Sequence, residues 1–138
     1  MSAPRRPCDA YGMARPSTHQ VGDAFEAYAV AWLTERGWRI DARNVRRDRK
    51  EIDVIASRGR VTAFIEVKGR RGDGFGHPLA AVTWKKRREI EHVARRWLGD
   101  APNRAPGQIY RFDVISIRAR QGSAPEVEHV ADAWRLGE

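Results

Sequence analysis

The chain has 138 residues, enough for one domain with a hydrophobic core and not comfortably enough for two. Lys and Arg total 26 and Asp and Glu total 18, which leaves a formal net charge of +8. This surplus suits a polyanionic partner, such as nucleic acid or an acidic membrane surface, although an arginine-rich proteome would produce it as well. The apolar fraction of 41% is ordinary for a globular protein and disfavours a disordered chain.

Residues 1–17 are predicted to form a flexible N-terminal tail, and residues 18–138 a single domain. The one cysteine, Cys8, lies in this tail, so no internal disulfide can form and a reducing, cytoplasmic setting is expected. The tail has charge and proline but lacks the apolar run of a secretory signal. The longest apolar stretch, AYAVAWL, is too short to span a bilayer, so we expect no membrane association.

Apolar residues at helical spacing predict a first helix over Val21 to Arg36, with Gly37 as its stop. Its predicted stripe consists of Val21, Phe25, Tyr28 and Trp32. Glu26 lies on the shoulder of that stripe, on the side shared with Ala29 and Leu33. Position alone favours a solvated flank residue at Glu26.

Three strands are predicted next, an edge-type strand over Trp38 to Val45 and two stronger ones over Glu51 to Ala56 and Val61 to Lys68. The polar segment RRDRK separates the first two, and SRGR supplies the glycine that a hairpin turn prefers. Residues two apart in a strand share a face, so Glu66 and Lys68 project together. Asp53 faces the same side of the sheet as Glu66 if the loop between these two strands has two or four residues, and the opposite side if it has three.

A second helix is predicted over Leu79 to Leu98, with Lys86 directed toward its apolar stripe. Its outer face carries the basic residues Lys85, Arg87, Arg88, Arg95 and Arg96. Gln108 to Arg118 has the pattern of a strong strand, PEVEHV is compatible with a short last strand, and ADAWRLGE with a terminal turn or helix. This order predicts a small α/β domain with a mixed sheet.

Asp53, Glu66 and Lys68 would be costly on a buried sheet face, because two close carboxylates repel and the pKa of one rises. Mg²⁺ removes the conflict, since it takes oxygen ligands and is often held by one or two carboxylates together with water and substrate phosphate. Lys68 would then orient or deprotonate an attacking water, or steady the phosphate. The alternative is a salt bridge from a carboxylate to Lys68 or Arg70 on a solvated face, and spacing alone favours neither.

Asp53, followed after twelve residues by Glu66-Val67-Lys68, resembles the D…ExK signature of the PD-(D/E)xK, or restriction-endonuclease-like, nucleases. The segments EIDVIASRGRVTAFIEVKGR, FGHPLAAV, KKRREI, RFDVISI and VEHVADAW are similar, in this order, to the motifs of the YraN family of small bacterial proteins. That family is related by sequence to archaeal Holliday-junction resolvases. The resemblance covers roughly residues 19 to 135 of the sequence.

The resemblance implies a restriction-endonuclease-like fold, a central mixed β-sheet flanked by helices, with a carboxylate cluster that binds Mg²⁺ or Mn²⁺. On the family pattern, Asp53 and Glu66 are metal ligands and Lys68 is the catalytic lysine. Glu26 matches the glutamate of a first-helix Gly-Glu motif, which implies a helper carboxylate that acts directly or through water. Lys86 matches a lysine of the second helix, and its inward position fits a role facing an anion.

Further contacts to nucleic acid, expected to be DNA, are assigned to Arg70, just beyond the ExK segment, and to Lys85 and Arg87 in the basic run of the second helix. Arg111 and Asp113, in the RFD segment, are interpreted as structural. Resolvase-like relatives also suggest a homodimer.

Two departures from the family pattern affect the turn and the first helix. Lys50 stands where the family usually has a glycine before Glu-Ile-Asp, so either Lys50 is strained or the turn differs. Phe25 stands where the family has the glycine before the helix glutamate, and it is expected to pack in the stripe and shift Glu26. Neither departure touches Asp53 or Glu66, so the metal site remains the prediction.

The leading hypothesis is a Mg²⁺- or Mn²⁺-dependent endonuclease that hydrolyses phosphodiester bonds in DNA, at branched or damaged structures. The alternatives are a nucleic-acid-binding module that keeps the fold without cleaving, and a protein-interaction domain in which the charges form salt bridges. Most aromatic residues lie on apolar stripes. Trp84 and Phe75 are the aromatic residues that we consider for contact with an exposed base.

Overall fold

The computed structural model describes residues 18–72 and 76–136, without the side chains of residues 18–21 and 101. The predicted tail, residues 1–17, and Phe75 therefore lie outside the described residues. The described α-helices are α1 Thr18–Glu35 and α2 Trp84–Gly99, with short 3₁₀ turns at Pro78–Ala81 and Ala101–Asn103. The strands are β1 Arg39–Arg47, β2 Lys50–Arg58, β3 Val61–Arg71, β4 Ile109–Arg120 and β5 Ser123–Trp134.

The five strands form one sheet in the order β1-β2-β3-β4-β5. Strands β3 and β4 are parallel and all other neighbours are antiparallel. Because two adjacent parallel strands need a crossover connection, α2 lies between β3 and β4 in the chain. This mixed sheet with helices on its faces confirms the predicted α/β class. Neither described helix combines the length and the apolarity that crossing a membrane requires.

Alternation along β3 divides the core into two layers. Phe64 packs with Ile90 in a cluster under α2, whereas Ala63 and Ile65 pack with Leu33 in a cluster under α1. The two helices therefore cover opposite faces of the sheet. Glu66 and Lys68 follow Phe64 at even spacing and project on its side of β3.

The first hairpin is closed by two residues rather than by the whole RRDRK segment. Arg47 pairs with Lys50, and Asp48 and Arg49 between them have φ values of 52° and 66°. Positive φ at both positions is the geometry of a type I′ turn. Lys50 itself is an ordinary strand residue, so the departure from glycine there is accommodated by a different turn. His92 of α2 holds this turn through a 2.7 Å contact from Nε2 to Asp48 Oδ2.

The predicted second helix was wrong at its beginning. The Thr83 side chain accepts a hydrogen bond from Lys86 N–H at 3.1 Å and caps α2, so the helix begins at Trp84 rather than at Leu79. Pro78 begins a separate 3₁₀ turn.

The predicted terminal turn or helix over ADAWRLGE was also wrong, because β5 continues to Trp134. Two contacts hold this end of the strand. The Trp134 ring stacks on Phe112 with centroids 5.1 Å apart, and its Nε1 donates to Glu91 Oε2 at 3.1 Å. An irregularity at Asp132, whose φ is 52°, breaks the alternation that would have identified a strand.

Candidate active site

The acidic site lies where β2 and β3 stop pairing. A two-residue turn at Gly59–Arg60 sets the register, and the ladder ends at the pair of Val54 and Ile65. One step further in this register, Asp53 lies opposite Glu66. Residues directly opposite in an antiparallel pair share a face. The two-residue turn is thus one of the lengths for which the sequence predicted that these carboxylates would converge.

Asp53 lies just beyond the last residue pair of the β2–β3 ladder, and the pKa of its carboxyl group is raised. Its Oδ2 accepts a hydrogen bond from Val67 N–H at 2.8 Å, in place of a backbone acceptor. Burial, and then the nearby charge of Glu66, raises the pKa of Asp53 to about 8, while the Val67 hydrogen bond opposes the shift and Glu26 adds to it. Asp53 therefore holds a proton near neutral pH, and a nearby cation would favour its release.

Glu66 is buried, and Lys68 pairs with only one of its two carboxylate oxygens. Its side chain is 4% exposed, and Oε2 lies 3.1 Å from the Lys68 ammonium. When Asp53 is ionised, no group among the described residues donates to Oε1. The proton that Asp53 holds is shared with Glu66 through a side-chain hydrogen bond, which adds to the raised pKa of Asp53. A buried acceptor without a partner costs about 1–3 kcal/mol or more when charged, so it needs an explanation. The salt bridge proposed as the alternative is therefore present, but Glu66 is not on a solvated face and the bridge leaves Oε1 unsatisfied.

Glu26 lies on the inward face of α1, which corrects the interpretation of this residue as a solvated flank. The buried face of the helix is formed by Ala29 and Leu33, both 0% exposed, whereas Tyr28 is 37% exposed. The predicted stripe was thus centred on the wrong side of the helix. Glu26 precedes Ala29 by three residues, so it belongs to the buried face and is half-buried.

The charge environment of Glu26 links it to the acidic pair. Burial, and then repulsion from Glu51, raises the pKa of Glu26, and Arg43 acts in the opposite direction. The carboxyl groups of Glu26 and Asp53 also interact. Glu51 itself is paired with Arg46 at 3.6 Å.

Asn44 is a site residue that the sequence analysis did not identify. The register of β1 and β2 places Asn44 opposite Asp53. With the amide assigned so that its nitrogen faces α1, Asn44 donates to Glu26 Oε1 at 2.8 Å and Oε2 at 3.3 Å. A row of four polar groups, the acidic row, therefore runs from Glu26 and Asn44 on the α1 side of the sheet through Asp53, where β2 and β3 separate, to Glu66 on the α2 side. The available signal was an asparagine inside a strand, where it is disfavoured, at a φ of 52° that asparagine tolerates.

Phe25 holds α1 against β3 beside this row. A Cβ atom on Gly69 would lie 1.9 Å from Phe25 Cδ2, so the ring rests directly on the glycine backbone. Phe25 is adjacent in sequence to Glu26, and Gly69 to Lys68. The contact therefore fixes the helix carboxylate relative to the strand lysine. Phe25 packs against the second core cluster, as expected, and Glu26 stays within the acidic row.

Two predicted cations continue β3 beyond Glu66. Lys68 is 33% exposed, so it is held by Glu66 yet reaches solvent. Arg70 follows on the same side and is half-buried. The parallel register places Arg118 of β4 beside Arg70. A basic edge thus borders the acidic row on the side where β3 ends.

The predicted cations of α2 have different surroundings. Lys86 is half-buried on the inward side of the helix, and Lys85 is exposed. Arg87 Nε donates to Val82 O at 3.2 Å and its guanidinium lies 5.5 Å from the Trp134 ring centroid. These contacts hold the Arg87 side chain against the fold, and the phosphate contacts expected of Arg87, Lys85 and Lys86 stay predictions.

Asp113 of β4 is a second buried carboxylate, and it is fully engaged. It is 0% exposed and accepts two hydrogen bonds from Arg111, at 3.0 and 3.1 Å. His129 Nε2 lies 2.8 Å from Oδ2, and Asp132 N–H donates to Oδ1 at 2.9 Å. The interpretation of Arg111 and Asp113 as structural agrees with these contacts.

The residues of the acidic row fit a hard divalent cation only together with outside ligands. Within residues 18–72 and 76–136, no group of three or more His, Cys, Asp or Glu side chains is arranged to hold a metal alone. Mg²⁺ does not require such a cage, because it is commonly bound by one or two carboxylates with water and phosphate oxygens. The carboxylate of Glu66 and the carboxyl group of Asp53, once it has released its proton, could supply the two protein ligands of that mode.

A mixed five-stranded sheet between helices, with an acidic pair where two central strands separate, defines an α/β fold consistent with the restriction-endonuclease-like class. Comparison with known proteins then identifies the family. The model described as "Uncharacterised protein family UPF0102" matches residues 25–117. This chain belongs to the UPF0102 family, which confirms the resemblance to the YraN family.

Individual relatives match over most of their length. A UPF0102 protein of Geotalea uraniireducens (strain Rf4) is 39% identical over 127 residues, which cover 88% of this chain and 94% of that protein. A UPF0102 protein of Rhodococcus jostii (strain RHA1) is 44% identical over 114 residues, which cover 83% and 95%. A UPF0102 protein of Bifidobacterium longum (strain NCC 2705) is 39% identical over 116 residues, which cover 83% and 93%.

Proposed function

We propose that this protein is a metal-dependent endonuclease that hydrolyses phosphodiester bonds in nucleic acid, with DNA as the expected substrate. The observation that carries the proposal is the buried Glu66 Oε1, which has no donor among the described residues unless Asp53, whose pKa is raised to about 8, is protonated. A fold gains nothing from such a pair unless a ligand completes it.

Asp53 and Glu66 would hold Mg²⁺ or Mn²⁺, with Glu26 acting directly or through a bound water. When bound, the cation would polarise a phosphoryl oxygen and lower the pKa of its water. Asn44 keeps the Glu26 carboxylate turned toward the row through its amide. The Val67 N–H fixes Asp53 in the same way.

Lys68 is suited to meet the substrate. Its ammonium is anchored on Glu66 Oε2 at 3.1 Å, and a third of the side chain reaches solvent. In that position it orients an attacking water or neutralises a phosphate oxygen. Arg70 beyond it, and Lys86 from α2, would bind neighbouring phosphates. The net charge of +8 favours the approach of such a polyanion.

The direct test is cleavage of labelled branched, single-stranded and duplex DNA and of RNA with Mg²⁺ or Mn²⁺. We expect Asp53→Asn and Glu66→Gln to lose cleavage, and Glu35→Gln, an exposed carboxylate at the end of α1, to retain it. Equal activity in all four proteins would reject this site. Calorimetric titration with Mn²⁺ gives an independent readout, because binding should be seen in the wild type and lost in Asp53→Asn.

A non-catalytic nucleic-acid-binding module is the second candidate. It is favoured by the small number of carboxylates that converge, since the described residues contain no ready three-ligand metal group. This candidate predicts nucleic-acid binding with a steep salt dependence, no cleavage with either metal, and unchanged affinity in Glu66→Gln.

A further inference from the structure

Trp84, at the beginning of α2, is far more exposed than the other tryptophans. Its side chain is 62% exposed, whereas Trp38 and Trp134 are buried and Trp32 and Trp97 are half-buried. An exposed aromatic ring offers a flat apolar face on which another planar group can stack.

The ring is held in place on one face by an arginine. The Arg88 guanidinium carbon lies 4.3 Å from the Trp84 ring centroid, within the range of a cation–π contact. Arg88 is in turn fixed by a 3.2 Å hydrogen bond from Nη1 to Glu91 Oε1, and Glu91 is buried. The exposed ring surface is therefore presented by a supported side chain.

The charge around Trp84 limits the kind of ligand. Four cations, Lys85, Lys86, Arg87 and Arg88, follow it directly in the chain. A complementary partner combines negative charge with flat apolar faces. Single-stranded nucleic acid has both, because its bases are free to stack on aromatic rings while its phosphates meet lysine and arginine. A duplex carries the charge but hides its base faces.

The location of Trp84 agrees with a role near the acidic row. Leu98, at the far end of α2, lines a cavity together with Val61 and Ile109, which begin β3 and β4. Gly76 and Pro78, in the segment that leads to Trp84, line another cavity together with Arg70 of β3, so this segment lies beside the end of β3 that follows Lys68.

We propose that Trp84, supported by Arg88, is a stacking platform for an unpaired base of single-stranded nucleic acid, and that Lys85 and Lys86 bind the adjacent phosphates. The inference rests on the proposed function for nucleic acid as the substrate. It narrows that substrate to one with unpaired bases near the bond that is cut.

The test is intrinsic tryptophan fluorescence of the full chain in EDTA, titrated side by side with oligo(dT), oligo(rU) and a duplex of equal length. We expect either single strand to quench the emission, the stronger quench identifying the preferred sugar, and the duplex to quench little. Trp84→Phe should lose most of the quench and keep its affinity, measured by anisotropy of a labelled strand. Trp84→Ala should weaken binding roughly tenfold or more.

The chain provides a matched control, because Trp32 also carries an arginine on its ring. Arg36 lies 3.9 Å from the Trp32 centroid, but this ring is half-buried and meets His129 edge-on. Trp32→Phe should therefore keep the quench. The proposal is overturned if Trp84→Ala binds as tightly as wild type, if Trp84→Phe still quenches, or if heparin, an acidic peptide or anionic vesicles quench as well as the single strands.

The result of this binding test does not depend on the proposed endonuclease activity, because EDTA removes the divalent cations that cleavage would require. Quenching that depends on Trp84, in a protein that never cleaves, would support the platform and reject the nuclease. Metal-dependent cleavage without Trp84-dependent quenching would do the reverse.

Discussion

Two carboxylates are buried in the same sheet and have opposite surroundings. Asp113 on β4 accepts four hydrogen bonds, from Arg111, His129 and the Asp132 backbone. Glu66 on β3 keeps one oxygen for which the described residues provide no donor except the proton of Asp53. The first arrangement completes itself within the fold, and the second is completed only by something from outside. This difference, rather than burial or charge alone, separates a structural carboxylate from a candidate ligand.

The pKa shifts express the same contrast. Burial by itself would raise the pKa of Asp113, but the hydrogen bonds from His129 and Arg111 outweigh it, and the pKa is lowered. At Asp53, burial and the charge of Glu66 outweigh the one hydrogen bond from Val67, and the pKa is raised to about 8. The fold therefore stabilises the ionised form at one position and the protonated form at the other.

The largest expected effect is the loss of Asp113. In Asp113→Asn, one acceptor oxygen becomes an amide donor and faces the donors of Arg111 and His129, so a buried charge is left uncompensated. We expect the free energy of unfolding to fall by about 3–5 kcal/mol, measured by urea denaturation. The exposed variant Glu35→Gln should change it by less than about 0.5 kcal/mol. A decrease of less than about 1 kcal/mol in Asp113→Asn would contradict the contrast between Asp113 and Glu66.

The second effect tests whether the packing of α1 against β3 fixes the position of the acidic row. Asp113 is fixed by its own hydrogen bonds, whereas the row depends on the packing of Phe25 on Gly69. Gly69→Ala places a methyl group into the Phe25 ring and should destabilise the protein by about 1–3 kcal/mol while weakening Mn²⁺ binding. Gly22→Ala in α1 meets open space, and should stabilise by about 0.5–1 kcal/mol.

A double-mutant cycle identifies the cause of the Gly69 effect. If the Phe25 ring is what the new methyl group meets, Gly69→Ala should cost less in a Phe25→Ala background than in wild type. Equal costs in the two backgrounds would show that another contact is responsible. The packing explanation of the row would then be wrong.

The sequence predicted much of this architecture, because it lies in short-range patterns. Alternation in β2 and β3 and the glycine of the second hairpin predicted two strands and a tight turn, and that turn places Asp53 opposite Glu66. What the patterns missed depends on packing between distant segments. Trp134 extends β5 through its contacts with Phe112 and Glu91, and Asn44 meets Glu26 across the gap between β1 and α1. Neither contact leaves a periodic signal.

The pH dependence of stability in EDTA sharpens the comparison further. Because the pKa of Asp53 is raised from 3.8 to about 8, the folded state binds a proton that the unfolded state has lost between about pH 4 and pH 8. The contribution of Asp53 to the free energy of unfolding therefore falls as the pH rises through this window, by up to about 1.4 kcal/mol per pH unit. Asp113 acts with the opposite sign, because its lowered pKa gives stability that is present above pH 3.8 and is lost as the pH falls below it.

The measurement is a series of urea denaturations from pH 3 to pH 9 on wild type and Asp53→Asn. The difference between the two stabilities should change steadily between pH 4 and pH 8 and be constant below pH 3.8. A difference that is constant over the whole range would show that Asp53 titrates as an ordinary carboxyl group. The acidic pair would then lack the strain on which its interpretation as a ligand site depends.

The last effect is a gain, and it reverses the outcome of the same substitution at Asp113. In Asp53→Asn, the amide oxygen still accepts from Val67 N–H, and the new amide nitrogen donates to the unpartnered oxygen of Glu66. We expect the free energy of unfolding at pH 7 to rise, by up to about 1.4 kcal/mol for each pH unit above 3.8, because the folded wild-type protein must take up a proton at Asp53 and the variant need not, while Mn²⁺ binding is lost. A destabilised Asp53→Asn protein that still binds Mn²⁺ would place Asp53 with Asp113, among the carboxylates that serve the fold alone.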